Sequence, residues 1–155
     1  MQPLTTTTGA LAIGGGSGSE QMLAQTVTAA LDGEMNALFL PVACASGRLV
    51  IEIRDVVGGL PGSTVLLRRR VPAASLPAVG LRFRRIALGH RLPVAAGDRF
   101  AVVLSNPTGS CGIAQGPVGD SYAGGGGFFD ARPNPPGWIP LSPDLDLAFM
   151  EIVLR

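Results

Sequence analysis

Two β-strands joined by a turn are predicted by residues 49–71, which read LVIEIRDVVGGLPGSTVLLRRRV. Side chains alternate between the two faces of an extended chain. One face of the first strand is therefore aliphatic throughout: Leu49, Ile51 and Ile53. Residues 58–63, GGLPGS, combine glycine and proline as turns do, and residues 64–71 then resume an apolar run. This pattern is typical of a β-sheet protein.

Short runs of the same kind continue along the chain from Glu20, separated by turn residues. The predicted strands are 21–29, 36–43, 49–57, 64–71, 81–88, 99–105, 111–115 and 144–154. A helix over residues 19–31 is the one rival, but the β-branched residues Thr26, Val27 and Thr28 favour a strand. The series predicts an all-β protein, an antiparallel jelly-roll-like β-sandwich of about eight or nine strands.

Composition excludes several classes of protein. The 155 residues include 22 glycines and 13 prolines, which a long helical bundle or coiled coil would not tolerate. A formal net charge of +1 argues against nucleic acid and polybasic membrane contacts as partners. All twelve cations are arginine, so chemistry that depends on lysine is excluded. The apolar content of 46% indicates a large core or a surface buried against other subunits.

Residues 1–19 are predicted to form an extended N-terminal arm, and residues 20–155 the sandwich domain. The arm ends in a glycine–serine linker at 14–19, which is flexible by composition. We expect the arm to be held by a neighbouring subunit or by its own sheet. Its apolar residues are the candidates for that contact: Leu4, Leu11 and Ile13. No secretion signal is visible at the start of the sequence.

Four segments follow one another in order within residues 20–155. They read GRLVIEIRDVVGGLPGSTVLLRRRVPAASLP, LPVAAGDRFAVVLS, DSYAGGGGFF and DLDLAFMEIV. Together they resemble bacterial and phage jelly-roll surface modules, which are carbohydrate-binding-like domains of extracellular and virion proteins. The resemblance implies a surface role, either attached to an extracellular enzyme or built into a virion. The chain departs from the module at 111–115, CGIAQ, where the module has an aromatic strand.

Residues suited to catalysis are few. His90 is the only histidine, no G-x-S-x-G motif occurs, and two cysteines with one histidine do not make a zinc ligand set. We therefore expect no enzymatic activity and no cofactor. Three carboxylates are candidate calcium ligands together with loop carbonyls: Asp120, Asp144 and Asp146.

Cys44 and Cys111 lie in predicted strands and allow two interpretations. They could be two buried free thiols, since free cysteine is among the most buried residue types. A single disulfide between them is the alternative, and the sequence does not decide between the two.

Arginines cluster at 68–70 and at 82–85. Alternate members share a face of an extended strand: Arg68 with Arg70, and Arg82 with Arg84. Three interpretations are open. The strips could be an ordinary solvated face paired with carboxylates, or they could contact an acidic surface of a partner subunit, since arginine is favoured at interfaces. They could also bind an anionic glycan or a nucleic acid, although Phe83 is the one aromatic residue interleaved with them.

Four of the eight aromatic residues fall in the loop-like stretch 120–138. Aromatic faces with polar neighbours are suited to binding sugars, whereas a small core packed beneath the loop is the structural alternative. The candidate ligand-binding residues are Tyr122, Phe128, Phe129, Asp130, Arg132, Asn134 and Trp138.

These patterns predict a non-enzymatic structural or interaction protein on the surface of a virion, such as a capsid decoration, head-spike or tail-associated protein. It would assemble with copies of itself or with capsid or tail proteins, and could contact cell-surface polysaccharide. Neither nucleic acid nor membrane insertion is expected. The alternative is a stand-alone carbohydrate-binding module of a secreted protein. Both place it on a virion or extracellular surface.

Overall fold

A computed structural model describes residues 3–4, 7–15, 20–119, 121–132, 137–141 and 144–154. These residues form twelve β-strands and a single 3-10 turn at Ala73–Ser75, with no α-helix among them. The strands are β1 (Pro3–Leu4), β2 (Gly9–Gly14), β3 (Glu20–Thr28), β4 (Gly33–Cys44), β5 (Arg48–Val57), β6 (Leu60–Pro72), β7 (Phe83–Val94), β8 (Arg99–Ser105), β9 (Ser110–Gln115), β10 (Gly127–Arg132), β11 (Ile139–Pro140) and β12 (Phe149–Leu154). The prediction of an all-β protein is confirmed.

The strands pair antiparallel in a sheet that nearly closes into a barrel-like shape. The hydrogen-bonded order is β1-β12-β4-β9-β2-β3-β8-β5-β6, with β7 beside β4, β10 beside β3 and β11 beside β10. The long strand β4 joins several neighbours, since it pairs with β7 and β12 along most of its length and with β9 at its end. More strands form than the eight or nine predicted, because four stretches outside the predicted strands also enter the sheet: β1, β2, β10 and β11.

The core lies between the inward faces of the curved sheet. The aliphatic face predicted for β5 is confirmed, since Leu49, Ile51 and Ile53 are fully buried. Each fully buried aliphatic side chain contributes about 1.5–3 kcal/mol through the removal of apolar surface from water. The same cluster reaches across the sheet to Phe100 of β8 and Phe149 of β12.

Part of the predicted arm is a strand of the protein's own sheet. β2 pairs with β9 along its whole length and meets β3 where Gly14 lies opposite Gln21. Ile13 is fully buried in the core, and Leu11 packs against it. Leu4 belongs to β1, which pairs with β12. The linker residues 16–19 lie outside the described residues.

The last predicted strand is shorter than expected. Residues 144–148 were expected to alternate as the start of β12, but the strand begins at Phe149. Asp144 adopts a positive φ of 41° in a turn, and residues 145–148 are all buried rather than alternately exposed. The prediction was wrong there because one of these buried residues, Asp146, is polar. In the sequence, a polar residue between apolar ones indicates a side chain that faces solvent.

Cys44 and Cys111 form a disulfide. They lie directly opposite each other on β4 and β9. The amide of Asn106 donates to the Cys111 sulfur at 3.1 Å, and its oxygen accepts from the backbone N–H of Arg48 at 3.1 Å. Of the two interpretations that the sequence left open, the disulfide is the one found.

The hairpin of β5 and β6 turns more tightly than predicted. Val57 lies opposite Leu60, so only Gly58 and Gly59 form the turn, with φ of +58° and +82°. Positive φ at both central residues is the type I′ geometry, which matches the twist of paired strands. The remainder of the predicted turn belongs to β6.

Candidate functional site

The stretch 120–138 is the candidate ligand site predicted from the sequence, and Tyr122 fixes its loop 121–126 to the core. The Tyr122 ring is buried and lies edge-on to Phe149, with ring centroids 5.1 Å apart. Its hydroxyl oxygen accepts from the backbone N–H of Thr28 at 3.2 Å. The ring therefore faces the interior of the protein.

Asp146 holds the same loop in place through hydrogen bonds to its backbone. One carboxylate oxygen accepts from the backbone N–H groups of Ser121 and Tyr122 at 3.1 and 2.9 Å, and the other accepts from the Gln25 amide at 2.9 Å. Gln25 in turn accepts from the N–H of Leu147 at 2.8 Å. The side chain is 2% exposed, so this buried carboxylate is held by N–H donors.

Of the other two calcium candidates, Asp144 is exposed in its turn and Asp120 lies outside the described residues. Among the residues that the structure describes, no group of three or more His, Cys, Asp or Glu side chains is placed to hold a metal ion.

The remaining aromatic candidates divide between two faces of β10. Phe129 packs against the main core, whereas Phe128 belongs to a small cluster on the opposite side of the sheet. Trp138 packs against this outer cluster, and Asp130 is buried. The other members of the cluster are Ala24, Ala101 and Val103. The side chain of Arg132 and the whole of Asn134 lie outside the described residues.

A cleft of about 540 Å³ lies beside the outer cluster, between the glycine loop and the tip of the β5–β6 hairpin. Thr28 donates to the Gly124 carbonyl at 2.7 Å, which holds the loop against β3. A Cβ on Gly125 would lie 1.8 Å from the Thr26 carbonyl oxygen, so only glycine allows this approach. Arg99 is the one charged residue in the lining. These groups suit the binding of a polar or anionic molecule.

The outer face of β5 and β6 carries a buried carboxylate between two arginines. Glu52 accepts from the Nε atoms of Arg54 at 2.7 Å and Arg68 at 2.6 Å. Burial of the Glu52 carboxylate raises its pKa, but the hydrogen bonds and charges of both arginines outweigh burial and hold the pKa below its usual 4.5. For Arg68, the structure therefore agrees with the interpretation of a solvated sheet face paired with carboxylates.

The other clustered arginines form what we call the arginine edge. Its members are Arg69, Arg70, Arg82, Arg84 and Arg85, all exposed. None of the five makes an ion pair with a residue that the structure describes. Across from β6, the Arg69 guanidinium lies 3.7 Å from the point where a Cβ of Gly89 on β7 would be. Arg69 and Arg70 lie on β6, whereas Arg84 and Arg85 lie on β7 and Arg82 directly precedes it.

An exposed apolar surface, the hairpin patch, adjoins the arginine edge on β6. It consists of Val57, Leu60, Val65 and Leu66. Their exposed fractions run from 37% for Val65 to 64% for Val57. The sequence did not predict this patch. An apolar run beside a turn indicates a strand, but it does not show which side chains of that strand stay exposed to solvent. Grouped exposed aliphatic residues are typical of surfaces that contact another protein.

No helix in the described part of the chain is long and apolar enough to cross a membrane. The features that distinguish the surface are the cleft, the arginine edge and the hairpin patch. Comparison with protein-family models, curated proteins and solved structures finds no match to this chain.

Proposed function

We propose that this protein is a non-enzymatic structural and interaction component of a virion surface, such as a capsid decoration, head-spike or tail-associated protein with a jelly-roll fold. The hairpin patch is the observation that carries the proposal. Its four aliphatic side chains are exposed to solvent on one hairpin. A subunit contact would remove that surface from water.

Two further features support a contact surface outside the cell. The arginine edge continues from the hairpin patch along β6, and interfaces favour apolar cores with arginine nearby. The Cys44–Cys111 disulfide suits an oxidising environment, because thiols in a reducing cytosol are kept reduced. The virion setting itself rests on the sequence resemblance.

The oligomeric state in solution tests the proposal. We expect sedimentation velocity to show a concentration-dependent oligomer of the wild type, which Leu66→Asp shifts to monomer. Val118→Asp is the matched control, because Val118 is 67% exposed in the loop after β9, outside the hairpin patch. A wild type that stays monomeric at every concentration contradicts the proposal, as does equal dissociation by both substitutions.

A carbohydrate-binding module is the second candidate, and the cleft beside Gly124 favours it. Its threonines, loop backbone and Arg99 could hold a polar or anionic sugar. Calorimetric titration with cell-surface polysaccharides should then give binding that Arg99→Ala weakens. Heat of binding that Arg99→Ala leaves unchanged would remove the cleft as the site.

A further inference from the structure

The strands β6 and β7 leave two long edges without a partner strand. β6 pairs only with β5, and β7 only with β4. No backbone hydrogen bond joins β6 to β7 among the residues that the structure describes. A strand edge presents a row of unpaired N–H and C=O groups, to which an extended segment of another chain can add.

The charge along these edges is all of one sign. Residues 56–97 contain seven arginines and neither aspartate nor glutamate. Arg68 pairs with Glu52 of β5, which it shares with Arg54, and Arg91 pairs with Glu34 of β4 at 2.8 Å. The five members of the arginine edge keep their charge. Because the whole chain has a net charge of only +1, this excess is local rather than general.

We propose that the arginine edge binds an extended acidic segment of a partner protein, which adds along the free edge of β6. This inference deepens the proposed interaction function and rests on it. Carboxylates of the segment would pair with Arg70 on one face of β6 and with Arg69 on the other, for which arginine's planar fork is well suited. The exposed aliphatic residues Val65 and Leu66 lie in the middle of the same strand and would take apolar residues of the segment.

A peptide fits this surface better than a nucleic acid does. Proteins that bind single strands stack bases on aromatic side chains, and Phe83 is the one aromatic residue on β6 or β7. The free backbone groups of a strand edge are matched by another backbone. The partner segment is therefore expected to contain adjacent acidic residues, one for each face, beside β-forming apolar residues.

A labelled eight-residue peptide of alternating glutamate pairs and valine pairs is the probe, since each glutamate pair presents a carboxylate to both faces, and fluorescence anisotropy against the full chain is the measurement. We expect binding that weakens steeply with salt, and weakens about tenfold or more in the double variant Arg69→Glu/Arg70→Glu. Arg91→Gln is the matched control, since it removes a charge from β7 that Glu34 already neutralises. Equal weakening by the control would mean a general charge effect and would overturn the proposal.

Two further measurements keep the test decisive. If the glutamate variant fails to fold, Arg69→Gln/Arg70→Gln replaces it. Two further peptides are methylated at alternate backbone nitrogens, one at the odd positions and one at the even positions. One of the two should lose binding, because its methyl groups block the N–H groups that pair with β6. Binding of both methylated peptides excludes strand addition. Binding of a sulfated polysaccharide with the same arginine dependence, without peptide binding, also overturns the proposal.

The outcomes separate this proposal from the proposed function. If the wild type forms the oligomer but does not bind the peptide, only the proposal of an acidic partner segment is contradicted. A monomeric wild type that still binds the peptide contradicts only the assembly through the hairpin patch.

Discussion

At the scale of single residues, buried polar groups fix the loop that the sequence marked as functional. Asp146 gathers two backbone N–H groups of the loop and the Gln25 amide, so that a stretch of glycines is held in one conformation. Tyr122 then fills the space beneath the loop with its ring. The side chains of Asp146 and Tyr122 thus hold the loop in place as one wall of the cleft, although neither of them lines the cleft.

Replacing Asp146 by asparagine tests this arrangement. The amide would set a donor against N–H donors, and lost hydrogen bonds to a charged group cost about 1.5–3 kcal/mol each. We expect Asp146→Asn to lower the free energy of unfolding by about 2–4 kcal/mol in urea titrations. Asp144→Asn, at an exposed position two residues away, is the control. Equal stability of both variants would show that the carboxylate does not hold the loop.

Glu52 gives the protein a pH-dependent component of stability. Its pKa in the folded state is lowered by Arg54 and Arg68 despite burial, so its contribution is fully present above the unfolded value near 4.5. That contribution is lost as the pH falls through the lower folded pKa. Unfolding midpoints measured from pH 7 down to pH 3 should therefore decline less steeply in Glu52→Gln than in the wild type. Parallel declines would contradict this.

At the scale of elements, the disulfide ties β9 to β4, the strand that links most of the sheet. The two cysteines are 67 residues apart in sequence. In the chain-entropy model, a cross-link of that span stabilises by about 4 kcal/mol. We expect Cys44→Ala/Cys111→Ala to lower the free energy of unfolding by roughly this amount in urea titrations. Reductant should then have no further effect on the variant, and reactive thiols in the unreduced wild type would contradict the pairing.

The elements also show what the sequence could predict. β8 has the predicted bounds, because residues 100–104 are a continuous apolar run between clear turn residues. β2 was missed because glycine and alanine carry little β-propensity. β10 was missed because the glycines before it and the prolines after it are typical of a loop. Part of the candidate site could be foreseen, namely the arginine runs. The hairpin patch could not, since its exposure depends on which strands pair.

At the scale of the whole molecule, the exposed apolar residues and the unpaired arginines are distributed unevenly over the surface. The sheet nearly closes on itself, and the hairpin patch and the arginine edge share β6, a terminal strand of that sheet. The described residues leave one edge of β6 without a partner strand, so on this side another chain can add both apolar and charged contacts. The proposed role as a building and interaction component depends on this one side.

Hydrogen exchange, followed by mass spectrometry on concentrated and dilute protein, tests that claim most directly. We expect the amides of residues 57–71 to exchange more slowly in the concentrated sample, and this protection to vanish in Leu66→Asp. Protection confined to other segments, or exchange that does not change with concentration, would contradict assembly through the β5–β6 hairpin.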